Sequence, residues 1–488
     1  MKTKSLAIDL GASNGRVILG EYDGVDLNMS VIHRFNNGPV ERDSYLVWDI
    51  DYLFQQVIEG IQLAVSKHKI DSIAVNTWGV DYGLIGHDGR LLHLPRNYRD
   101  SRMKKTFEDR KFSFEELYKE TGNQVMAINT FFQLLADIFI DADLKDKADR
   151  LLLMPDLFNY LLTGKKYAER SIASTTQLYN PKKQEWNYSL MEENNIPIHL
   201  FPQLVDEGHE VGFLKEEFGL GQIPVVNVCS HDTASAVVSI PSTTDFLFIS
   251  CGTWSLIGTE LEEPIMTEKS YSYNLTNESG INKSTRFLKN LTGLWIIQEV
   301  KREFEELGKH YSYSDFESLI APTEKFKTLI DTEHPMFSKP GNMIEKIQIF
   351  ATQTNQEVPR LDGEIVRCVY ESLTYRYRHT FLEITDTLRK DFDSVYMIGG
   401  GSQSALLCQM IADASKVTLY SGPVEATALG NLLTQFMALE KIESVSEARR
   451  LVTKTQEIQK YYPDLIETDE WENNFWKYAE ILNQEIKI

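Results

Sequence analysis

At 488 residues the chain exceeds the length at which one hydrophobic core keeps growing, so two large domains are expected, 1–240 and 241–488. Its 42% hydrophobic and 11% aromatic content excludes a disordered chain, and a formal net charge of −21 argues against nucleic-acid and anionic-membrane partners, which need clustered Lys and Arg. Four cysteines, Cys229, Cys251, Cys368 and Cys408, lack C-x-x-C spacing and suggest neither zinc nor a disulfide framework. With no apolar run near the roughly 18 residues of a membrane span, and Met1 to Ser5 too short for a signal peptide, a reducing cytoplasm fits best.

The chain opens with AIDLGASNGRVILG, Ala7 to Gly20. Leu6, Ile8 and Leu10 are apolar at period two and Val17 and Leu19 resume the alternation, which predicts strand, turn, strand. Gly11 and Gly15 fit neither G-x-G-x-x-G nor G-x-x-x-x-G-K-[ST], so the two commonest phosphate loops are excluded. Two readings remain: an ordinary hairpin, or a bend whose amides converge on an anion, with Asp9 placed to meet a divalent cation. Asn28 to Phe35 predicts a third strand and Asp49 to Lys69 an amphipathic helix. Ile70 to Val75 reads as a buried strand running into NTWGVD, where Trp78, Gly79 and Asp81 are either substrate contacts or a capped turn with a core Trp. Pro95 to Arg102, PRNYRDSR, is a second polar cluster or an exposed loop.

A mostly helical pattern runs from Phe112 to Leu162, with a possible strand at Leu151 to Met154 and a helix ending at Gly164. Ile223 to Val228 predicts another buried strand before SHDTASA, a helix start at which Ser230 or Asp232 is either an N-cap or, for Asp232, a proton acceptor. Ser239 to Asp245 has the composition of a domain junction. Phe246 to Gly258 then repeats the opening pattern; aligning Gly252 with Gly11 puts Ser250 at the place of Asp9 and Thr253 at that of Ala12. Either these are two unrelated hairpins, or they mark two related halves whose phosphate-sized turns suit one nucleotide. Asn290 and Gln298, around a helix expected over Glu299 to Lys309, face a ligand or solvent. A helix from about Gly363 to Leu388 precedes the strand Ser394 to Ile398 and a glycine triplet, Gly399 to Gly401, that either lets a base or phosphate approach the backbone or is simply a tight strand-to-helix connection. Glu425 to Asn431 opens a small-residue helix expected to pack on that triplet.

In that order, DLGASNGRV, RFNNG, NTWGVD, YRDSR, LMPDLFNYLLTG, SHDTASA, SCGTWSL, LKNLTGLW, IGGGSQ and GPVEATALGN resemble the FGGY family of carbohydrate kinases over nearly the whole chain. The resemblance implies an α/β fold of two actin-like, ribonuclease-H-like domains. Each has a mixed sheet flanked by helices, and ATP and Mg2+ lie in a nucleotide cleft between them. It implies transfer of the ATP γ-phosphoryl group to the 1-hydroxyl of L-rhamnulose, with L-fuculose or xylulose as alternative sugars and an actin-like ATP-binding protein or sugar-sensing regulator as non-enzymatic ones. By position it implies Asp232 as catalytic base and Asp9 on the metal. ATP falls to Ala12, Ser13, Asn14, Gly15, Arg16, Thr253, Gln298, Gly400 and Gly401, and the sugar to Gly79, His231, Asp232, Thr233 and Asn290. Asn14 stands where many relatives carry Ser. A monomer or small homo-oligomer is expected.

Overall fold

The computed structural model describes residues 2–108 and 113–483. Met1 and Phe112, the starts of two of the stretches read above, lie outside them. By contact density the chain forms two units: Met1–Thr243 with Glu260–Phe287 and Ala426–Thr455, and Thr244–Thr259 with Leu288–Glu425 and Gln456–Ile488.

The first unit is built on a six-stranded mixed sheet in the order Glu210–Phe213, Pro224–Val226, Ser72–Thr77, Thr3–Leu10, Asn14–Tyr22, Leu27–Asn36. The first three strands of the chain form the antiparallel meander expected, and Ser72–Thr77 joins Thr3–Leu10 in parallel. The period-two pattern predicted one buried face, yet Leu6 to Leu10 are buried without a break. Helices on both faces explain this. Helix Ile50–Val65, capped by Asp49, comes so close that a Cβ on Gly60 would lie 2.5 Å from Val17. On the other face Ala7 and Ile18 share a core with Ala428, Leu429, Leu432 and Phe436 of helix Ala426–Ala438. That helix was expected on the glycine triplet; its small residues serve the first unit instead. A Cβ on Gly430 would stand 1.7 Å from the carbonyl oxygen of Ser235, so only glycine permits the approach to helix Asp232–Val238.

In the second unit Leu247–Cys251 lies antiparallel to the strand starting at Trp254 and parallel to Ser394–Ile398, which continues to Thr418–Ser421 and Gln459–Tyr461. Helices Asp362–Leu388, Ala405–Ser415 and Leu465–Leu482 pack together beside it, joined by an aromatic cluster of Phe326, Tyr375, Trp471 and Tyr478. All four cysteines are buried as free thiols. No helix among the described residues is long and apolar enough to cross a membrane.

Candidate active site

Register places the first cluster. Asp9 is opposite Arg16 in the antiparallel pairing and opposite Asn76 in the parallel one, so one strand end presents all three to the same place. Arg16 donates through Nη2 to Asp9 Oδ2, and Asn76 donates through Nδ2 to Oδ1 at 2.8 Å. Asn76 is in turn oriented from behind: its Oδ1 accepts from Asn431 Nδ2 at 2.8 Å, and Asn431 Oδ1 accepts from Gln435 Nε2 at 2.7 Å. The turn that follows closes by a bond from Gly11 N to Asn14 O at 2.8 Å and is held from outside by Asn37, which donates to Gly11 O through its side chain and to Ser13 O through its backbone. Ala12, Ser13 and Asn14 keep part of their surface open, whereas Gly15 is buried where a Cβ would overlap the Phe35 ring at 2.3 Å.

The second cluster gathers at the start of helix Asp232–Val238. Its N-cap is His231, without a side-chain cap bond, rather than Ser230 or Asp232. Asp232 is the first helical residue, and its Oδ1 accepts from Thr233 N at 2.6 Å and Thr233 Oγ1 at 3.2 Å, with His231 Nε2 at 3.3 Å. Among the described residues no donor reaches Oδ2. Burial first, and then the charge of Asp9, raises the Asp232 carboxyl to about 6, although 34% of the side chain remains accessible. The loop before it is pinned by Glu169, which accepts from Ser230 N at 3.0 Å and is itself raised to about 7 by burial. Burial, then neighbouring Arg286, holds His231 well below the ordinary imidazole range. Gly79 faces this ring: a Cβ there would sit 3.3 Å from His231 Nε2 and 3.2 Å from Thr175 Oγ1. The next residue, Val80, is held at φ +64, costly for a β-branched residue, with its carbonyl accepting from Thr130 Oγ1 and its N–H donating to Thr175 Oγ1.

Trp78 and Asp81 serve the scaffold. Asp81 is buried and accepts from Trp48 Nε1 at 2.7 Å, Trp78 Nε1 at 3.1 Å, Tyr98 N at 3.2 Å and Gln133 Nε2 at 2.9 Å, which occupies both oxygens. Hydrogen bonds to a charged group contribute about 1.5–3 kcal/mol each, so this carboxylate, raised to about 6 by burial, is a structural hub. The polar cluster after Pro95 is likewise internal: Arg96 and Arg102 converge on Asp137, with Arg102 Nε at 2.7 Å.

The second unit carries its candidates on a shorter turn. Gly252 N donates to Trp254 O at 2.8 Å, one residue fewer than in the first hairpin, and the loop before helix Trp295–Glu306 braces it through Gly293 N to Thr253 O and Leu294 N to Gly252 O. Gly293 must be glycine, since a Cβ would lie 2.6 Å from Gly252 O. That helix begins four residues before Glu299, so Gln298 sits on its first turn, where Oε1 accepts from Thr253 Oγ1 at 3.2 Å. Asn290 lies half-buried on strand Thr285–Thr292. The glycine triplet divides its roles. Gly399 adopts φ +82, Gly401 abuts Cys251 Sγ where a Cβ would stand 2.3 Å away, and Gly400 is exposed with nothing within 4 Å of its Cβ position.

Sequence reasoning missed Asn37, Gly293, the Asn431–Gln435 pair and Arg286 with Glu278. Asn37 and Gly293 fell inside the quoted segments RFNNG and LKNLTGLW, and an arginine inside a strand-like run was the one signal for Arg286.

Models of the N- and C-terminal domains of the FGGY family of carbohydrate kinases match residues 5–239 and 247–439. A rhamnulokinase of Oceanobacillus iheyensis is 39% identical over 468 residues, 94% of this chain and 98% of that protein; one of Halalkalibacterium halodurans is 40% identical over 465 residues, with 94% and 98% covered. Among solved structures, a ligand-bound xylulose kinase from Lactobacillus acidophilus superposes with a TM-score of 0.81 at 16% identity, covering 99% of this chain and 98% of that one. Plasmodium falciparum glycerol kinase with ADP gives 0.79 at 15%, covering 100% and 99%. These two share the fold. Both halves match the family in order and the similarity extends along nearly the whole length, so the chain belongs to the FGGY family of carbohydrate kinases.

Proposed function

We propose that the protein transfers the γ-phosphoryl group of ATP to the 1-hydroxyl of L-rhamnulose, in the cytoplasm. The observation that carries the reading is Asp232. Its Oδ1 accepts from two donors of Thr233, its Oδ2 is free of donors among the described residues, and its carboxyl is raised to about 6, suited to accept a hydroxyl proton near neutral pH. The names of the relatives supply the sugar. Gly79, His231, Thr233 and Asn290 are the proposed sugar contacts. Phosphoryl transfer through a loose transition state asks mainly for positioning and charge stabilisation. The turn Ala12–Arg16 is assigned to the phosphates, and Thr253, Gln298, Gly400 and Gly401 to the nucleotide.

A divalent cation, Mg2+, is proposed to arrive with ATP. Among the described residues no group of three or more His, Cys, Asp or Glu could cage a metal, while Asp9 offers one hard carboxylate at a strand end. Magnesium usually takes one or two carboxylates plus phosphate oxygens and water, so this donor set fits. Bound there, the ion would neutralise charge on the phosphate oxygens.

The test is ADP release with L-rhamnulose, L-fuculose and xylulose. The highest kcat/KM is expected for L-rhamnulose. A faster ketose would replace the sugar assignment, and ATP turnover indifferent to every sugar would overturn the kinase reading.

A further inference from the structure

Arg286, near the start of strand Thr285–Thr292, is completely buried. A buried guanidinium is costly unless paired, and here Glu278 Oε2 lies 3.0 Å from Nη2 while Nε donates to Ser279 O at 3.1 Å. The same Nη2 stands 3.2 Å from His231 Nδ1. An arginine has five N–H donors, stays protonated and has no lone pair to offer. The contact is therefore a hydrogen bond only if Nδ1 is the acceptor. The other facing groups agree: Glu278 Oε2 is 3.6 Å from Nδ1, too far to take a proton from it, and is paired with Arg286; Asp232 Oδ1 lies 3.3 Å from Nε2, so an N–H there points its positive end at a carboxylate. A neutral imidazole has one N–H, and these neighbours put it on Nε2.

We propose that Arg286, anchored by Glu278, is a positioning residue that fixes His231 in its Nε2–H tautomer, so that the ring turns its N–H towards the side where Asp232 Oδ1 lies 3.3 Å away and where the sugar is proposed to bind. The inference rests on the kinase reading for its functional consequence, but the tautomer itself does not depend on which sugar is phosphorylated.

Two measurements test it. The first is a cycle of kcat values with L-rhamnulose and ATP for the parent, Arg286→Met, His231→Gln and the double variant. Methionine fills similar space without donating. Glutamine at 231 places an amide N–H near Nε2 and has no tautomer to fix. Loss of an outer partner that orients a histidine typically costs about 10–100-fold, so Arg286→Met is expected to lower kcat by that factor in the parent and by less than about 3-fold in the His231→Gln background. Equal losses in both backgrounds would make Arg286 merely structural and overturn the proposal. The second is 15N NMR of the full-length parent labelled at histidine, with the His231 signals identified by their loss in His231→Gln. A protonated Nε2 and bare Nδ1 are expected; a protonated Nδ1 overturns the proposal even if Arg286→Met does not fold. Sugar-indifferent turnover with the expected NMR pattern would instead fault the kinase reading and leave the tautomer assignment standing.

Discussion

Asp232 divides its two oxygens between being held and being available, and that division makes its loss measurable. Replacing it with asparagine keeps shape and the Thr233 N bond to the side-chain oxygen but removes the proton acceptor. Turnover is expected to fall by about 10² to 10⁴-fold with KM for sugar changed only a few-fold, read from steady-state kinetics. The pH profile follows from the direction of the shift. A base works unprotonated and this carboxyl is raised to about 6, so kcat is expected to rise through pH 6 and level off above it; a rate flat from pH 5 to 8 would count against the assignment. SHDTASA offered Asp232 as either an N-cap or a proton acceptor, and the helix takes His231 as its N-cap, so the proton-acceptor reading is the one proposed. Arg286 was not legible in the sequence, because its partners Glu278 and His231 are 8 and 55 positions away in sequence and only the folded strands bring them together.

At the scale of elements, the sequence conveyed which stretches become strands and helices better than what they pack against. Ser394–Ile398 appears as read, and the helix ends at Gly164 with φ +77 as its glycine indicated. The buried strand read as Ile70 to Val75 is Ser72–Thr77, displaced because it takes its register from Thr3–Leu10. Helix Ala426–Ala438 was misplaced because small residues announce a close approach without saying to what. Three substitutions separate the roles of its glycine and those of the triplet. Gly to Ala inside a helix ordinarily stabilises by about 1 kcal/mol, but at Gly430 the added carbon meets the Ser235 carbonyl at 1.7 Å, so Gly430→Ala is expected to lower Tm by calorimetry. Gly400→Ala should leave Tm unchanged and raise KM for ATP, whereas Gly401→Ala, facing Cys251 at 2.3 Å, should lower Tm. A Gly400→Ala enzyme with parental KM would remove that residue from the nucleotide site.

For the whole molecule, the duplicated hairpin was visible in sequence, but the route of the chain was not. Local patterns cannot report that Glu260–Phe287 and Ala426–Thr455 return to the first unit after the second has begun. The core around Ala7 and Ile18 draws Ile281, Leu429, Leu432, Phe436, Leu451 and Val452 from those returning segments. A fragment of residues 1–240 would leave that face open to water, at roughly 25 cal/mol for each Å² of apolar surface uncovered. It is expected to bind hydrophobic dyes and to lack a cooperative melt; a sharp transition near that of the full chain would show that the returning segments are dispensable.

The pairing of Ser72 with Gln435, 363 positions apart, also sets a timetable. Translation proceeds at about 5–20 residues per second, so roughly 10–40 seconds separate the emergence of Thr243 from that of Thr455. Throughout that interval the nascent strands carrying Asp9 and Asn76 wait for the helix that covers them, which makes the youngest form of this protein a natural client of chaperones.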